Sequence, residues 1–282
     1  MKMQKKSKMM VIGMIGILLV ASVLMTGCID DGDEDGMRRV TITGSSTVLP
    51  IAETTAEEFN REHDNIRVSV SGGGSGYGIN AILEGTADIG MASRDISPSE
   101  KEDVPDVVET TIAKDGLAII VSKTVHDAGV QSLTTEEVID IYSGEITNWI
   151  DIGGPDEDIY VVERADTSGT YGTFMELLGL EDTAAHSTQL ENSDVRRTVA
   201  TADYAIGYVG MGYVGGDAPS VKLDGYEPTM QNVLEGNYPL QRGLHYYTNG
   251  EPSGAVKEYI DFVMSERGQE IVEEIGFIPV DA

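Results

Sequence analysis

Three short clusters rich in Gly, Ser and Thr stand where an apolar, β-forming run gives way to a helical pattern: Gly44-Ser45-Ser46-Thr47, Gly72-Gly73-Gly74-Ser75-Gly76 and Ser168-Gly169-Thr170. A helix begins with backbone N–H groups that lack an intrahelical partner and with a partial positive charge, so each such turn is a ready seat for an anion. One cluster of this kind is an ordinary helix cap. Three in one chain are harder to account for by capping alone. The third is preceded by Glu163-Arg164-Ala165-Asp166, which places a guanidinium and a carboxylate at the end of a strand. The planar fork of Arg164 matches a tetrahedral oxyanion, and Asp166 is spaced to hold that fork. Three helix N-termini supply about 1 to 6 kcal/mol to a bound anion, whereas micromolar binding needs about 8 kcal/mol. Charge-assisted hydrogen bonds from the arginine, at about 1.5 to 3 kcal/mol each, close the gap.

The elements that must carry these turns follow from periodicity. Strand-like runs at Val40–Thr43, Ile66–Val70, Ala87–Met91, Gly116–Ser122, Ile159–Val162, Ala205–Val209 and Leu244–Tyr247 alternate with helical patterns, which predicts an α/β fold built from βα units on a mostly parallel sheet. Val48, Ile51, Ala52, Thr55, Ala56 and Phe59 recur at helical spacing and define one buried face. Ser97-Pro98-Ser99-Glu100 and Thr134-Thr135-Glu136-Glu137 read as capping boxes that open two further helices.

Composition narrows the function. The chain has 282 residues with 19 Lys+Arg against 48 Asp+Glu, a formal charge of −29, which argues against nucleic acid or anionic lipid as a partner. The acidity reads as a solvated surface and is assigned no site. A single cysteine, Cys28, rules out an intrachain disulfide framework, a Cys-based zinc site and a CxxC redox motif. Gly210-Met211-Gly212-Tyr213-Val214-Gly215 fits GxGxxG, but Gly216-Asp217-Ala218-Pro219 follows where a helix should begin, so it reads as a glycine-rich turn. GxxxxGK[ST], HExxH and GxSxG are missing, and His63, His126, His186 and His245 lack ligand-like spacing. No metal site and no cofactor is expected. Trp149 and the pair Tyr246-Tyr247 read as packing residues.

Residues 1–27 read as an export signal: Lys2, Lys5, Lys6 and Lys8 precede an uncharged apolar run from Met9 to Met25. The run ends in Leu24-Met25-Thr26-Gly27-Cys28, which resembles a lipobox, with Cys28 the lipidated first residue of the mature chain. The alternative is an uncleaved span. Either places the bulk outside the cytoplasm, on the outer face of the membrane when lipid-anchored. Loss of the four leader lysines takes the charge from −29 to −33. Asp30–Gly36 has no apolar residue and strong self-repulsion, so residues 28–37 are a tether and the globule starts near Arg38.

Five segments in order, Gly44–Pro50, Ser71–Gly76, Ala87–Arg94, Ile141–Trp149 and Arg164–Thr170, together resemble the PstS family, the phosphate-binding proteins of phosphate ABC transporters. The likeness spans residues 40 to 280. It implies a two-lobed periplasmic-binding-protein-like fold of type II, with the ligand cleft between lobes joined by two crossings. Lobe 1 would be residues 38–115 plus 244–282 and lobe 2 residues 116–243, the crossings being 114–117 and 239–246. The resemblance implies a non-enzymatic, monomeric receptor whose partners are inorganic phosphate and a membrane permease. By that likeness Ser46, Thr47 and Val48 belong to the first phosphate-binding turn and Ser75 to the second. Arg164, Ser168, Gly169 and Thr170 belong to the third, with Asp166 orienting the arginine. Many relatives place a proton-accepting carboxylate where this chain has Ser93, followed by Arg94. Both are included in the expected site, and Tyr171 stands where many relatives of the Ser-Arg type have Arg.

Two other readings are kept open. A receptor for sulfate, molybdate or tungstate would not need a proton acceptor. A secreted phosphoester hydrolase using Ser46 or Ser168 as nucleophile would need a placed base or metal, for which the sequence offers no motif.

Overall fold

The computed structural model describes residues 36–280. The leader, Cys28 and most of the acidic tether lie outside the described residues. The first part of the chain runs β1 (Arg38–Gly44), α1 (Leu49–Glu62), β2 (Ile66–Gly72), α2 (Ser75–Leu83), β3 (Ile89–Ala92), α3 (Pro98–Asp103) and β4 (Val107–Val121). Then follow α4 (Lys123–Asp127), β5 (Ser132–Leu133), α5 (Thr135–Ser143), β6 (Tyr160–Arg164), α6 (Gly169–Leu178), β7 (Ser187–Gln189), α7 (Asn192–Thr201) and β8 (Ala205–Gly210). The last part is β9 (Lys222–Leu223), α8 (Met230–Leu234), β10 (Gln241–Asn249), α9 (Gly254–Val263) and α10 (Glu266–Glu274).

Eight of these strands form one sheet in the order β2-β1-β3-β10-β4-β8-β6-β7. The pairs β1/β2, β1/β3, β6/β8 and β6/β7 are parallel. The centre is antiparallel, β10 pairing with β3 on one side and β4 on the other, and β4 with β8. The expectation of a mostly parallel sheet is therefore corrected: two parallel sets flank an antiparallel middle, because the late strand β10 runs back through it. The run expected at Gly116–Ser122 is the second half of β4. Its first half, Val107–Asp115, mixes in Glu109, Thr110, Thr111 and Lys114, which hides the strand signal. β4 faces β10 up to Gly116 and β8 from Leu117.

Apolar packing gathers at the two ends of this sheet. One cluster joins Val40, Ile42, Phe59, Ile89, Leu244, Tyr246 and Phe277, and a larger one joins Leu117, Ile119, Tyr142, Trp149, Phe174 and Tyr208. The α1 face predicted from spacing is buried at every position, and both capping boxes form with reciprocal hydrogen bonds. Trp149, Tyr246 and Tyr247 are fully buried. These choices aim the C-terminal ends of β1, β2 and β6 at one another, and those ends carry the three turns.

Candidate functional site

Each turn is shaped by local chemistry. Ser45 Oγ accepts from the backbone N–H of Thr47 and Val48 at 3.2 and 3.4 Å, bending the chain out of β1 into α1. Gly74, at φ +92°, turns β2 into α2 with a backbone that a side chain would strain. Ser168 caps α6 by accepting from Thr170 N at 3.1 Å. The turns then interlock. Thr47 Oγ1 lies 3.0 Å from Thr170 Oγ1, and Gly76 N donates to Thr167 O at 3.3 Å. A side chain at Gly169 would collide with Ser75 Oγ and Ser93 Oγ, so only glycine lets α6 approach α2 this closely.

Polar groups fill the meeting point. Ser46, Thr47, Ser75, Ser93, Arg164, Ser168 and Thr170 are all buried. Ser93 N donates to Ser75 Oγ at 3.1 Å, and Val48 packs into the apolar cluster beneath. Arg164 donates from Nη2 to Ser46 Oγ at 3.0 Å and to Leu190 O at 2.6 Å. Its Nε and Nη1 are buried without a hydrogen-bond partner among the described residues. Burial pulls the guanidinium down to about 10, Glu191 opposing the shift, so it stays cationic at neutral pH. A buried cation with unpaired N–H groups is costly unless a partner meets it.

Two expected residues stand apart. Arg94 donates to both Glu100 oxygens at 2.8 and 2.7 Å and to Asp95 O at 2.8 Å. Its fork is thereby committed to the capping box of α3. Asp166 is exposed, and no hydrogen bond joins it to Arg164 among the described residues. Ser46 and Leu190 hold the guanidinium in its place.

Three residues in the cluster carried no motif. Arg242 on β10 and Asp115 on β4 form a buried ion pair at 2.8 Å. Burial pushes the Asp115 carboxyl up and the Arg242 guanidinium down, each against the attraction of the other. Asn192, wholly buried at the start of α7, donates to Thr47 Oγ1 at 2.9 Å. The one available signal was that Asp115 and Arg242 fall in the two segments expected to cross between lobes. The glycine-rich turn after β8 also contributes, since Tyr213 OH donates to Ser46 O at 2.6 Å. Among the described residues no group of three or more His, Cys, Asp or Glu is placed to hold a metal ion.

A family model described as PBP superfamily domain matches residues 31–267, which sets the class: a two-lobed α/β binding-protein fold of type II with its ligand cleft between the lobes. The phosphate-binding protein PstS of Bacillus subtilis is 36% identical over 254 residues, covering 88% of this chain and 83% of that protein. A phosphate ABC transporter substrate-binding protein from Clostridium perfringens, solved with bound phosphate, superposes with a TM-score of 0.82 at 36% identity, covering 86% of this chain and all of that one. A phosphate transport receptor from Vibrio cholerae gives 0.71 at 32% identity, covering 85% and 99%. The chain belongs to the PstS family of phosphate-binding proteins.

Proposed function

We propose that this protein is the extracytoplasmic receptor that captures inorganic phosphate and delivers it to the membrane permease of an ABC importer. The observation that carries the reading is the buried Arg164, whose Nε and Nη1 have no partner among the described residues while its Nη2 holds Ser46, in a fold that buries the hydroxyls of Ser46, Thr47, Ser75, Ser168 and Thr170 at three helix starts. Such a site offers donors and one unneutralised cation, which suits a compact oxyanion rich in acceptors and gives little to a neutral or cationic ligand. Phosphate is favoured over other oxyanions because the relatives from Bacillus subtilis and Clostridium perfringens are named for it.

In this reading Ser46, Thr47, Val48, Ser75, Ser93, Ser168, Gly169 and Thr170 surround the anion, Arg164 neutralises it, and Arg94 and Asp166 support the rim without touching it. Lobe 1 comprises residues 38–115 plus 244–282 and lobe 2 residues 116–243. The protein works as a monomer and performs no covalent chemistry: Ser46 Oγ is engaged by Arg164, and Ser168 Oγ caps α6. Among the described residues no helix is long and apolar enough to cross a membrane; attachment through a lipid on Cys28 rests on the lipobox-like end of the leader. Calorimetric titration with phosphate, sulfate, molybdate and tungstate tests the reading. Phosphate should bind at micromolar concentration or below and the others at least tenfold more weakly. Tighter binding of any of the other three would reassign the substrate.

A further inference from the structure

We infer that Arg242, locked by Asp115, is a positioning residue that fixes the direction of the hydroxyl hydrogen bonds in the site, so that Thr170 meets a bound anion only as a donor. The inference rests on the phosphate reading above and deepens it. All five N–H donors of Arg242 are spoken for. Nε and Nη2 donate to Asp115 Oδ2 at 3.0 and 2.8 Å. Nη1 donates to Ser93 O at 3.1 Å and Thr170 Oγ1 at 3.0 Å, and the second hydrogen of Nη2 goes to Thr47 Oγ1 at 3.3 Å. Asp115 is itself fixed, since Oδ1 accepts from Met211 N at 3.0 Å. Arg242 therefore has nothing left to give a ligand directly, in contrast to Arg164.

What it does give is a proton count. A hydroxyl oxygen has two lone pairs and one hydrogen. Thr47 Oγ1 receives N–H groups from Arg242 and from Asn192 Nδ2, whose Oδ1 accepts from Gly210 N and so fixes which way the amide faces. With both lone pairs filled, Thr47 must pass its own hydrogen to Thr170 Oγ1, 3.0 Å away. Thr170 Oγ1 then receives Thr47 and Arg242, and its remaining hydrogen has no acceptor within the set. The reverse assignment would put three donors on Thr47. The Thr170 hydroxyl is thus held as a donor on the first turn of α6, beside Gly169 and the Ser75–Ser93 pair. A ligand oxygen at that point is met as an acceptor and has no acceptor from Thr170 for a proton of its own.

A mutant cycle read by phosphate titration tests this. In the unaltered protein, Thr170→Val should weaken phosphate binding by about 10- to 100-fold, while Thr170→Ser keeps most of the affinity. The combined change Arg242→Gln with Asp115→Asn removes both charges and leaves neither buried alone. In that background Thr170→Val should cost less than about threefold, because the hydroxyl is no longer a dedicated donor. An equal loss in both backgrounds would overturn the inference and reduce Arg242 to a structural pair. Melting temperatures without phosphate establish that each variant folds. Should the doubly neutral protein not fold, Arg242→Lys carries the same cycle, since an ammonium cannot serve Asp115, Ser93 and both threonines at once. Failure of the unaltered protein to bind phosphate would overturn the phosphate reading, and with it this inference, in the first titration.

Discussion

Arg164 reaches across to Ser46, Nη2 to Oγ at 3.0 Å, while its Nε and Nη1 stay buried and unpaired. The two residues are 118 positions apart in sequence, Arg164 at the end of β6 and Ser46 in the turn after β1, so this contact ties the third turn to the first and leaves two N–H groups of the fork unpaired.

Arg164→Ala should lower phosphate affinity by at least about 100-fold, the loss of two charge-assisted hydrogen bonds at about 1.5 to 3 kcal/mol each. The ligand-free protein should melt at the same temperature or higher, because the variant no longer buries unpaired donors. Asp166→Asn should bind phosphate nearly as well as the natural protein, since the carboxylate is exposed and away from the fork. Titration calorimetry and thermal melts read all of these.

Alkaline pH provides a second check. Burial holds the Arg164 guanidinium at about 10, below its ordinary range. The folded, ligand-free chain therefore binds this proton less tightly than the unfolded chain, and the cost of the buried cation is full below about 10 and relieved as pH rises through it. The anion affinity that depends on the cation runs the other way: full below about 10 and lost above it. Phosphate titrations from neutral pH to 11 should show that fall, and Arg164→Ala should not.

Phosphate should stabilise the fold by mass action. At about 1,000 times the dissociation constant the gain is about 4 kcal/mol, which for a domain of this size raises the melting temperature by roughly 8 to 16 °C. Sulfate at the same concentration should give a smaller shift. Equal shifts would mean that the cleft does not discriminate.

Tyr213 OH to Ser46 O, at 2.6 Å, ties the turn after β8 to the first turn. Tyr213→Phe should weaken phosphate binding by about 3- to 10-fold, the worth of one neutral hydrogen bond. Small-angle scattering of the unaltered protein should show a smaller radius of gyration when phosphate is added. A radius that does not change would point to a site closed before the ligand arrives.

The family resemblance leads to the expectation of a carboxylate where this chain has Ser93. A hydroxyl can both donate and accept, so it does not force the ligand to bring a proton. Ser93→Asp should sharpen the rejection of sulfate, a fully ionised anion that an unmatched acceptor repels. Competition titrations of phosphate with excess sulfate would show this as a smaller sulfate effect in the variant than in the natural protein.

Sequence legibility followed range. The buried face of α1, the capping boxes and the three Ser/Gly/Thr turns were readable because capping and helical spacing are written in neighbouring residues. Arg242 and Asn192 were not, because their roles exist only through partners 127 and 145 positions away. Arg94 misled for the opposite reason: Glu100, six residues on, captures its fork locally. The first half of β4 was missed since its polar residues Glu109, Thr110, Thr111 and Lys114 break the apolar run. A sheet with an antiparallel centre required knowing that β10 returns beside β4, which no local pattern states.

The most direct test of the central claim is a crystal structure of the protein grown with phosphate. A tetrahedral anion should be bound by Arg164 Nε and Nη1, with the hydroxyls of Ser46 and Thr170 donating to it and Arg242 still paired with Asp115. An anion seated elsewhere, with Arg164 Nε and Nη1 still unpaired, would contradict it.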